Sequence, residues 1–309
     1  MTGWILYIDR VKNSPHVNYS VRRMVESAQD NGVNLRVIHP DQLELVVGGP
    51  GAAVLVDGKP EALPDFVMPR LGSRTSPFGM AAIRHFEGLG VCCVNGSAGV
   101  AVAKDKMATM QVLAAAGIAV PRSLLLKFPA DAELVERAIG FPAVVKLLSG
   151  SQGSGVLLAK EKKEFADIMG LVEGVRPGAN LLAQQFVASS SGTDLRVMVV
   201  GRKAVAAARR SSSSSFKANL SQGEGGQVEA YPLDPALEEL ALRITRAVGL
   251  EVAGIDLLFG PEGFLVCEVN SSPGFRVIEL SAGLDLPQIL FDHIRQSLGP
   301  AHKTGAEHA

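Results

Sequence analysis

The stretch Gly254-Ile255-Asp256, followed closely by Cys267-Glu268-Val269-Asn270-Ser271-Ser272-Pro273-Gly274, decides how this chain is read. Glu268 and Asn270 stand two apart, so on a strand both side chains take the same face. Asp256 belongs to the apolar run from Val252 to Leu258, and Gly260-Pro261-Glu262-Gly263 can turn the chain back to set it against that pair. Two carboxylates and an amide oxygen, with room left for water, suit Mg²⁺ shared with a substrate phosphate. The competing reading is a solvated strand end running into the Ser-Ser-Pro-Gly turn. The remainder of the chain decides between them.

The 309 residues exceed one ordinary core and predict two or three lobes. A chain that is 47% hydrophobic and 20% charged fits the globular class, and a net charge of −1 offers no basic field for nucleic acid. No run approaches the ~18 apolar residues of a membrane span. The opening Met1-Thr2-Gly3-Trp4-Ile5-Leu6-Tyr7-Ile8-Asp9 reads as a buried strand rather than a signal peptide. Cys92 and Cys93 are adjacent and Cys267 is distant, which gives neither a disulfide framework nor a CxxC knuckle. The expected compartment is the cytoplasm.

Strands over 4–8, 35–38 and 66–68 alternate with a helical pattern at Val21, Met24, Val25 and Ala28 and a second helix over 78–89. A hairpin (45–47 with 53–56) interrupts them. That rhythm predicts an N-terminal α/β lobe over 1–97 with an open, mainly parallel sheet. Residues 104–116 read as an amphipathic helix stopped by Gly117. With that linker helix, a smaller α+β lobe spans 98–187. Its strands fall at 123–126, 143–147, 156–159 and 181–186, and its helices near 131–138 and 162–172. A third lobe over 188–299 is expected to hold strands at 195–200 and 204–208, a loop, a helix over 235–248, the two strands of the oxygen triad and a helix over 286–298. Residues 300–309 read as a flexible tail.

Val144-Val145-Lys146-Leu147-Leu148-Ser149-Gly150-Ser151-Gln152-Gly153-Ser154-Gly155-Val156 is a strand, a Gly/Ser loop and a second strand. It is either a plain hairpin or a flap whose backbone N–H groups cover polyphosphate. It is not a Walker A loop or a dinucleotide fingerprint. A lysine inside an apolar strand must snorkel or find a partner, and an anion beside the loop would serve Lys146. Lys104 and Lys106 at a helix start oppose the helix dipole, a conflict that bound phosphate would relieve. Gln184-Gln185-Phe186-Val187 ends an apolar strand where a hinge reading adenine could lie, or is an ordinary strand end. Arg209-Arg210, the serines at 211–215, Phe216, Lys217 and Asn219 form either a linker or a loop closing over substrate carboxylate and phosphate. Arg70 and Arg74 follow a strand, where open α/β sheets place ligand contacts, or are surface cations.

Together with Met68-Pro69-Arg70-Leu71-Gly72, Ala82-Ile83-Arg84-His85-Phe86-Glu87, Ala103-Lys104-Asp105-Lys106-Met107 and Asp194-Leu195-Arg196, these stretches resemble the ATP-grasp superfamily, most closely its RimK-like alpha-L-glutamate ligase branch. The resemblance implies a three-lobed α/β fold with ATP between the central and C-terminal lobes. It makes Asp256, Glu268 and Asn270 the ligands of Mg²⁺, with Mn²⁺ as an alternative. Lys106, Lys146 and the flap residues Ser151, Gly153, Ser154 and Gly155 become nucleotide contacts. Gln185, Phe186 and Val187 form the adenine hinge, Asp194 lies near the ribose, and Lys217 and Asn219 complete the nucleotide site. Lys146, Arg210 and Asn219 would serve the reaction centre, and Arg70, Arg74 and Arg210 the substrate carboxylates. The hinge carries Gln185 where relatives usually have Glu, and the serine run stands where relatives have mixed charged residues.

The implied reaction is ATP-dependent amide formation through an acyl phosphate, joining glutamate or a similar amino acid to a peptide, a protein tail or a small acid. Relatives of this kind commonly form homo-oligomers. The alternatives are another ATP-grasp amino-acid ligase, acting on a carrier protein or making a dipeptide, and a catalytically silent nucleotide-binding regulator.

Overall fold

The computed structural model describes residues 1–8, 19–48, 53–72, 75–148, 155–176, 178–218 and 226–299. The N-terminal lobe runs β1 (Thr2–Tyr7), α1 (Tyr19–Ala28), β2 (Asn34–Ile38), the antiparallel set β3 (Leu43–Val46), β4 (Ala53–Val56) and β5 (Lys59–Pro60), then β6 (Phe66–Arg70), α2 (Pro77–Gly88) and β7 (Cys92–Cys93). Its main sheet has the order β2-β1-β6-β7 with every pair parallel. The buried runs of β1 and β6 are continuously apolar because a parallel sheet is covered on both faces. The apolar side of α2 (Met80, Ala82, Ile83, Phe86) packs into this lobe's own core beside Trp4, which spends most of that helix on folding.

Residues 97–115 form two helices rather than the single helix expected from 104 onward: α3 (Ser97–Lys104) and α4 (Lys106–Ala115). Asp105 leaves the helical region between them, and its carboxylate accepts from the backbone N–H groups of Met107 and Ala108 as the cap of α4. Lys104 therefore closes α3, where a cation favours the dipole, and only Lys106 opens a helix.

The central lobe holds β8 (Ser123–Leu126), α5 (Ala132–Ala138), β9 (Ala143–Leu147), β10 (Val156–Ala159), α6 (Lys162–Val175) and β11 (Leu181–Gln185). Its antiparallel sheet has the order β10-β9-β11-β8 and buries its own core, with Val135, Val145, Phe165 and Met169, under the two helices.

The C-terminal lobe contains β12 (Thr193–Val200), β13 (Lys203–Ser212), β14 (Gly226–Tyr231), α7 (Pro235–Val248), β15 (Val252–Gly260), β16 (Gly263–Asn270), α8 (Arg276–Ala282) and α9 (Leu286–Leu298). The antiparallel order is β14-β13-β12-β15-β16. Odd positions of β12 (Leu195, Val197, Val199) share a core with α7 and with Met110 and Leu113 of α4. Even positions (Met198, Val200) join a core that also contains Ile5, Tyr7 and Met24 of the N-terminal lobe. The linker helix α4 thus rests on the C-terminal lobe, and one apolar core runs across the seam between the terminal lobes. Two elements were not anticipated. β13 extends through Arg209, Arg210, Ser211 and Ser212, and β14 occupies chain expected to be loop. Hydrogen bonding to the edge of β13 supplies what the short polar pattern of β14 lacks by itself. No helix among the described residues is long and apolar enough to cross a membrane.

Candidate functional site

β15 and β16 pair with Asp256 opposite Glu268 and Gly254 opposite Asn270. The register shifts immediately beyond, so that Leu257 faces Val266 and Cys267 is the extra residue of a bulge. The bulge turns Glu268 and Asn270 onto the face of Asp256 while Val266 and Leu257 stay in the α7 core. The amide of Asn270 donates through Nδ2 to the Gly254 carbonyl at 3.3 Å, leaving its oxygen available as an acceptor. Two carboxylates and an amide oxygen on one face are hard donors that fit Mg²⁺ or Mn²⁺. No group of three or more His, Cys, Asp or Glu side chains among the described residues could hold a metal, so the amide is needed to complete this set.

Asp256 is buried, and arginines on β12, the adjacent strand, and β13, the next one beyond it, grip it. Arg196, directly opposite on β12, donates from Nε to Oδ1 and from Nη2 to Oδ2, the latter at 2.9 Å. Arg210 of β13 donates to Oδ1 at 2.9 Å and binds Asp194 through two further bonds of 2.7 and 2.6 Å. Burial alone would raise the Asp256 carboxyl, but the charges of Arg196 and Arg210 outweigh it and hold the group below the usual carboxylate range. Burial likewise opposes the charge on Arg210, and Asp256 and Asp194 overcome it and raise the guanidinium. Asp194, expected beside the ribose, has both oxygens on Arg210 and supports that side chain.

Between the central and C-terminal lobes lies a narrow cleft. Lys106, Thr109 and Met110 of α4 line it together with Lys146 of β9, Leu182 and Gln184 of β11, and Cys267, Glu268 and Val269 of β16. Lys146 is 9% exposed, and its Nζ lies 3.5 Å from the Cys267 sulfur across the cleft. Burial pushes the Cys267 thiol up against the pull of the lysine, so it meets Lys146 as a neutral thiol. β9 and β10 form an antiparallel hairpin, closed by a 2.9 Å bond from Leu147 N–H to the Gly155 carbonyl. Gly155 sits at φ +73, with Leu147 occupying the side where a Cβ would lie. Ser151, Gly153 and Ser154 lie outside the described residues, as do Arg74 and Asn219.

Gln185 ends β11; its N–H donates to the Arg122 carbonyl at 2.8 Å and its side-chain oxygen accepts from Arg122 N–H. Val187 is buried, and the Phe186 ring meets Phe216 edge-on at 6.5 Å, with the Lys217 ammonium 5.6 Å from the Phe216 centroid. The segment after β13 therefore reaches the chain that follows β11. Arg70 is the last residue of β6, buried at 6% exposure, and its Nη2 donates to the Pro273 carbonyl at 2.6 Å. It is a seam residue and not a surface cation.

Reading the sequence missed Arg196, Gln184 and Cys267. Gln184 is 2% exposed, lines the cleft and donates to the Ser123 hydroxyl at 2.9 Å. A polar residue inside an apolar strand was the available signal for both Gln184 and Arg196. Cys267 carried none, because only the bulge directs it into the cleft.

The family model for the RimK-like ATP-grasp domain matches residues 103–294, and that for the RimK PreATP-grasp domain matches 12–100. The chain is 38% identical over 286 residues to "Probable alpha-L-glutamate ligase" of Rhodopirellula baltica, covering 89% of this chain and 68% of that protein. It is 36% identical to "Probable alpha-L-glutamate ligase 1" of Shewanella amazonensis, covering 92% and 93%. In fold it is similar to the ATP-grasp ligase PsnB complexed with a phosphomimetic variant of its minimal precursor, Mg and ADP, with TM-score 0.73, 22% identity and coverage of 96% and 98%. It is also similar to ATP-complexed D-alanine–D-alanine ligase from Bacillus anthracis, with TM-score 0.70, 17% identity and coverage of 98% and 97%. With both family models matched in sequence order and close to the full length aligned, the chain belongs to the RimK-like ATP-grasp family, and by that membership it is an ATP-dependent ligase forming carbon–nitrogen bonds.

Proposed function

We propose that this ligase joins glutamate, or a similar acidic amino acid, to the carboxyl group of a peptide, a protein tail or a small acid. The observation that carries the proposal is the cleft itself: Lys106 and Lys146 stand on one side and the edge of the Asp256–Glu268–Asn270 face on the other. The names of the Rhodopirellula and Shewanella relatives support glutamate.

The acceptor carboxylate oxygen attacks the γ-phosphorus of ATP, the bond to the β,γ-bridging oxygen breaks, and ADP leaves. The amine nitrogen then attacks the acyl carbon, the C–N bond forms and phosphate departs. The first step brings two anions together, so its barrier falls only where positive charge is already in place. Lys146 and Lys106 serve the phosphates, and burial strengthens what Lys146 contributes. Asp256, Glu268 and Asn270 would hold the divalent cation, which neutralises developing charge on phosphate oxygens when bound. Arg210, held by two carboxylates, is a fixed cation at the edge of that site. Gln185, Phe186 and Val187 serve the adenine, and Lys217 and Gly155 serve the nucleotide phosphates. The side chains at this site serve charge and position, so no covalent enzyme intermediate is required.

The test is incubation with ATP, Mg²⁺, glutamate and a panel of carboxylate acceptors, read by intact mass. Gain of glutamyl units on an acceptor is expected. ADP release coupled to another amino acid and never to glutamate would replace the donor, and absence of ADP with every acceptor would overturn the proposal.

A further inference from the structure

The bulge in β16 puts a thiol where the ligase chemistry asks for none. Cys267 is the extra residue of that bulge, has no partner in the β15 register, and lines the cleft, where it stays partly exposed. Lys146 reaches the same point from the central lobe, with Nζ 3.5 Å from the sulfur. Its cross-strand neighbours on the cleft face are Leu182 of β11 and Val156 of β10, so the adjoining side chains of its own sheet offer the ammonium no acceptor. Among the described residues no carboxylate pairs with Lys146, and a thiol sulfur is a weak acceptor. An ammonium that is 9% exposed and so poorly matched is costly. Two events relieve it: the arrival of phosphate, or a reaction that removes the charge.

We propose that Cys267 and Lys146 form an oxidant-sensitive modification site, at which a peroxide joins sulfur to nitrogen across the cleft and shuts out nucleotide. In the first step the Cys267 sulfur attacks one oxygen of hydrogen peroxide and the O–O bond breaks. The thiol proton leaves with the other oxygen as water, and the product is a sulfenic acid. In the second step the Lys146 ammonium gives one proton to solvent and its nitrogen attacks that sulfur. The S–O bond breaks, and hydroxide leaves as water with a second nitrogen-bound proton. Sulfur is oxidised by two electrons, peroxide is reduced by two, and a sulfenamide remains. That product is neutral, so the charge opposed by burial is gone, and a thiol reductant restores both side chains.

The link acts on the cleft in two ways. It removes a cation that serves the phosphates, and it staples the central lobe, which keeps a separate core, to the C-terminal lobe. Bound nucleotide opposes it, because phosphate engages the ammonium and draws it from the sulfur. The effect on nucleotide rests on the ligase reading above, whereas the covalent link does not.

The test treats the full chain with hydrogen peroxide, with and without saturating Mg-ADP, and maps its peptides by mass spectrometry. Calorimetry on the same samples gives ADP affinity. The expected product is a peptide pair joining Lys146 to Cys267, lighter by two hydrogens than its parts, removed by dithiothreitol and suppressed by ADP. ADP affinity should fall at least about tenfold as the link accumulates, the scale of one lost charge-assisted hydrogen bond, and should return with the reductant. Cys267→Ser has no thiol to oxidise and should keep after peroxide whatever ADP affinity it showed before. Lys146→Arg keeps the charge without the amine, and should stop at the sulfenic acid, captured by dimedone. Oxidation confined to Cys92 and Cys93, a link to Lys106 in place of Lys146, or ADP affinity untouched by the link would overturn the proposal. Protein that binds no ADP before oxidation counts against the ligase reading alone, and peptide mapping of the link still decides this proposal.

Discussion

Lys146 shows how one residue links fold and chemistry. An apolar strand carries it into the cleft, where it is buried and its tip meets a neutral thiol. Replacement by Ala removes one preorganised cation, and turnover measured by ADP release should fall about 10²–10³-fold with the fold retained. Asn95 plays a structural part of similar weight. Its amide donates to the Val252 and Ser271 carbonyls at 2.7 and 2.8 Å and accepts from Glu251 and Val252 N–H at 2.8 Å each. Every hydrogen-bonding position of that side chain crosses from the N-terminal lobe to the strand carrying Asp256 or to the turn after Asn270. Asn95→Ala would strand several buried backbone groups, and urea unfolding should report a loss of about 2–4 kcal/mol.

At the scale of elements, close approach decides the geometry. α3 crosses the end of α7 at Gly99, where an added Cβ would fall 2.0 Å from the Gly249 carbonyl oxygen. That neighbour is backbone and cannot rotate away. Gly99→Ala should therefore destabilise the protein by about 1–3 kcal/mol in thermal or urea unfolding, although alanine is the better helix former and an exposed site would show a gain. The β16 bulge is the counterpart at the site: one extra residue, Cys267, lets a strand bury Val266 in one core and still present Glu268 and Asn270 beside Asp256. The spacing of Glu268 and Asn270 was legible as period two, and so was their shared face. The bulge was not, because nothing in a local pattern distinguishes an extra strand residue from an ordinary one.

At the scale of the molecule, the terminal lobes form one body and the central lobe another layer upon it. Arg70 to Pro273, Ser272 to the Pro69 carbonyl, Phe275 N–H to Ser20 and Arg23 to Glu279 all cross the terminal seam, beneath a shared apolar core. The central sheet keeps a separate core and meets the rest at the cleft. The pH response belongs to this scale. Asp256 is held low by Arg196 and Arg210 against its burial, and Glu251 is held low by its bond to His293. Groups depressed on folding contribute stability above their unfolded pKa and lose it as pH falls through the folded one. These contributions should hold steady from pH 7 to 5 and fade below about pH 4, the ordinary carboxylate range. Melting temperature followed across that window should drop on the acid side, and Asp256→Asn should blunt the drop. A fall beginning near pH 6 and unchanged in that variant would assign the acid limb to other groups.

The sequence by itself determined the class of fold, the alternation of elements and the oxygen triad, because periodicity and short turns are local properties carried by neighbouring residues. It also determined that Lys146 needed an anionic or polar companion, since a charge in an apolar strand is legible at once. Only the tertiary structure decided who the partners are. Arg196, Arg210 and Asp194 converge on Asp256 through strand register, and Arg70 turns from a strand end into a buried cation through the docking of two lobes. Hydrogen bonding between distant strands and the exclusion of water at a seam depend on residues far apart in the chain, and no local pattern encodes them.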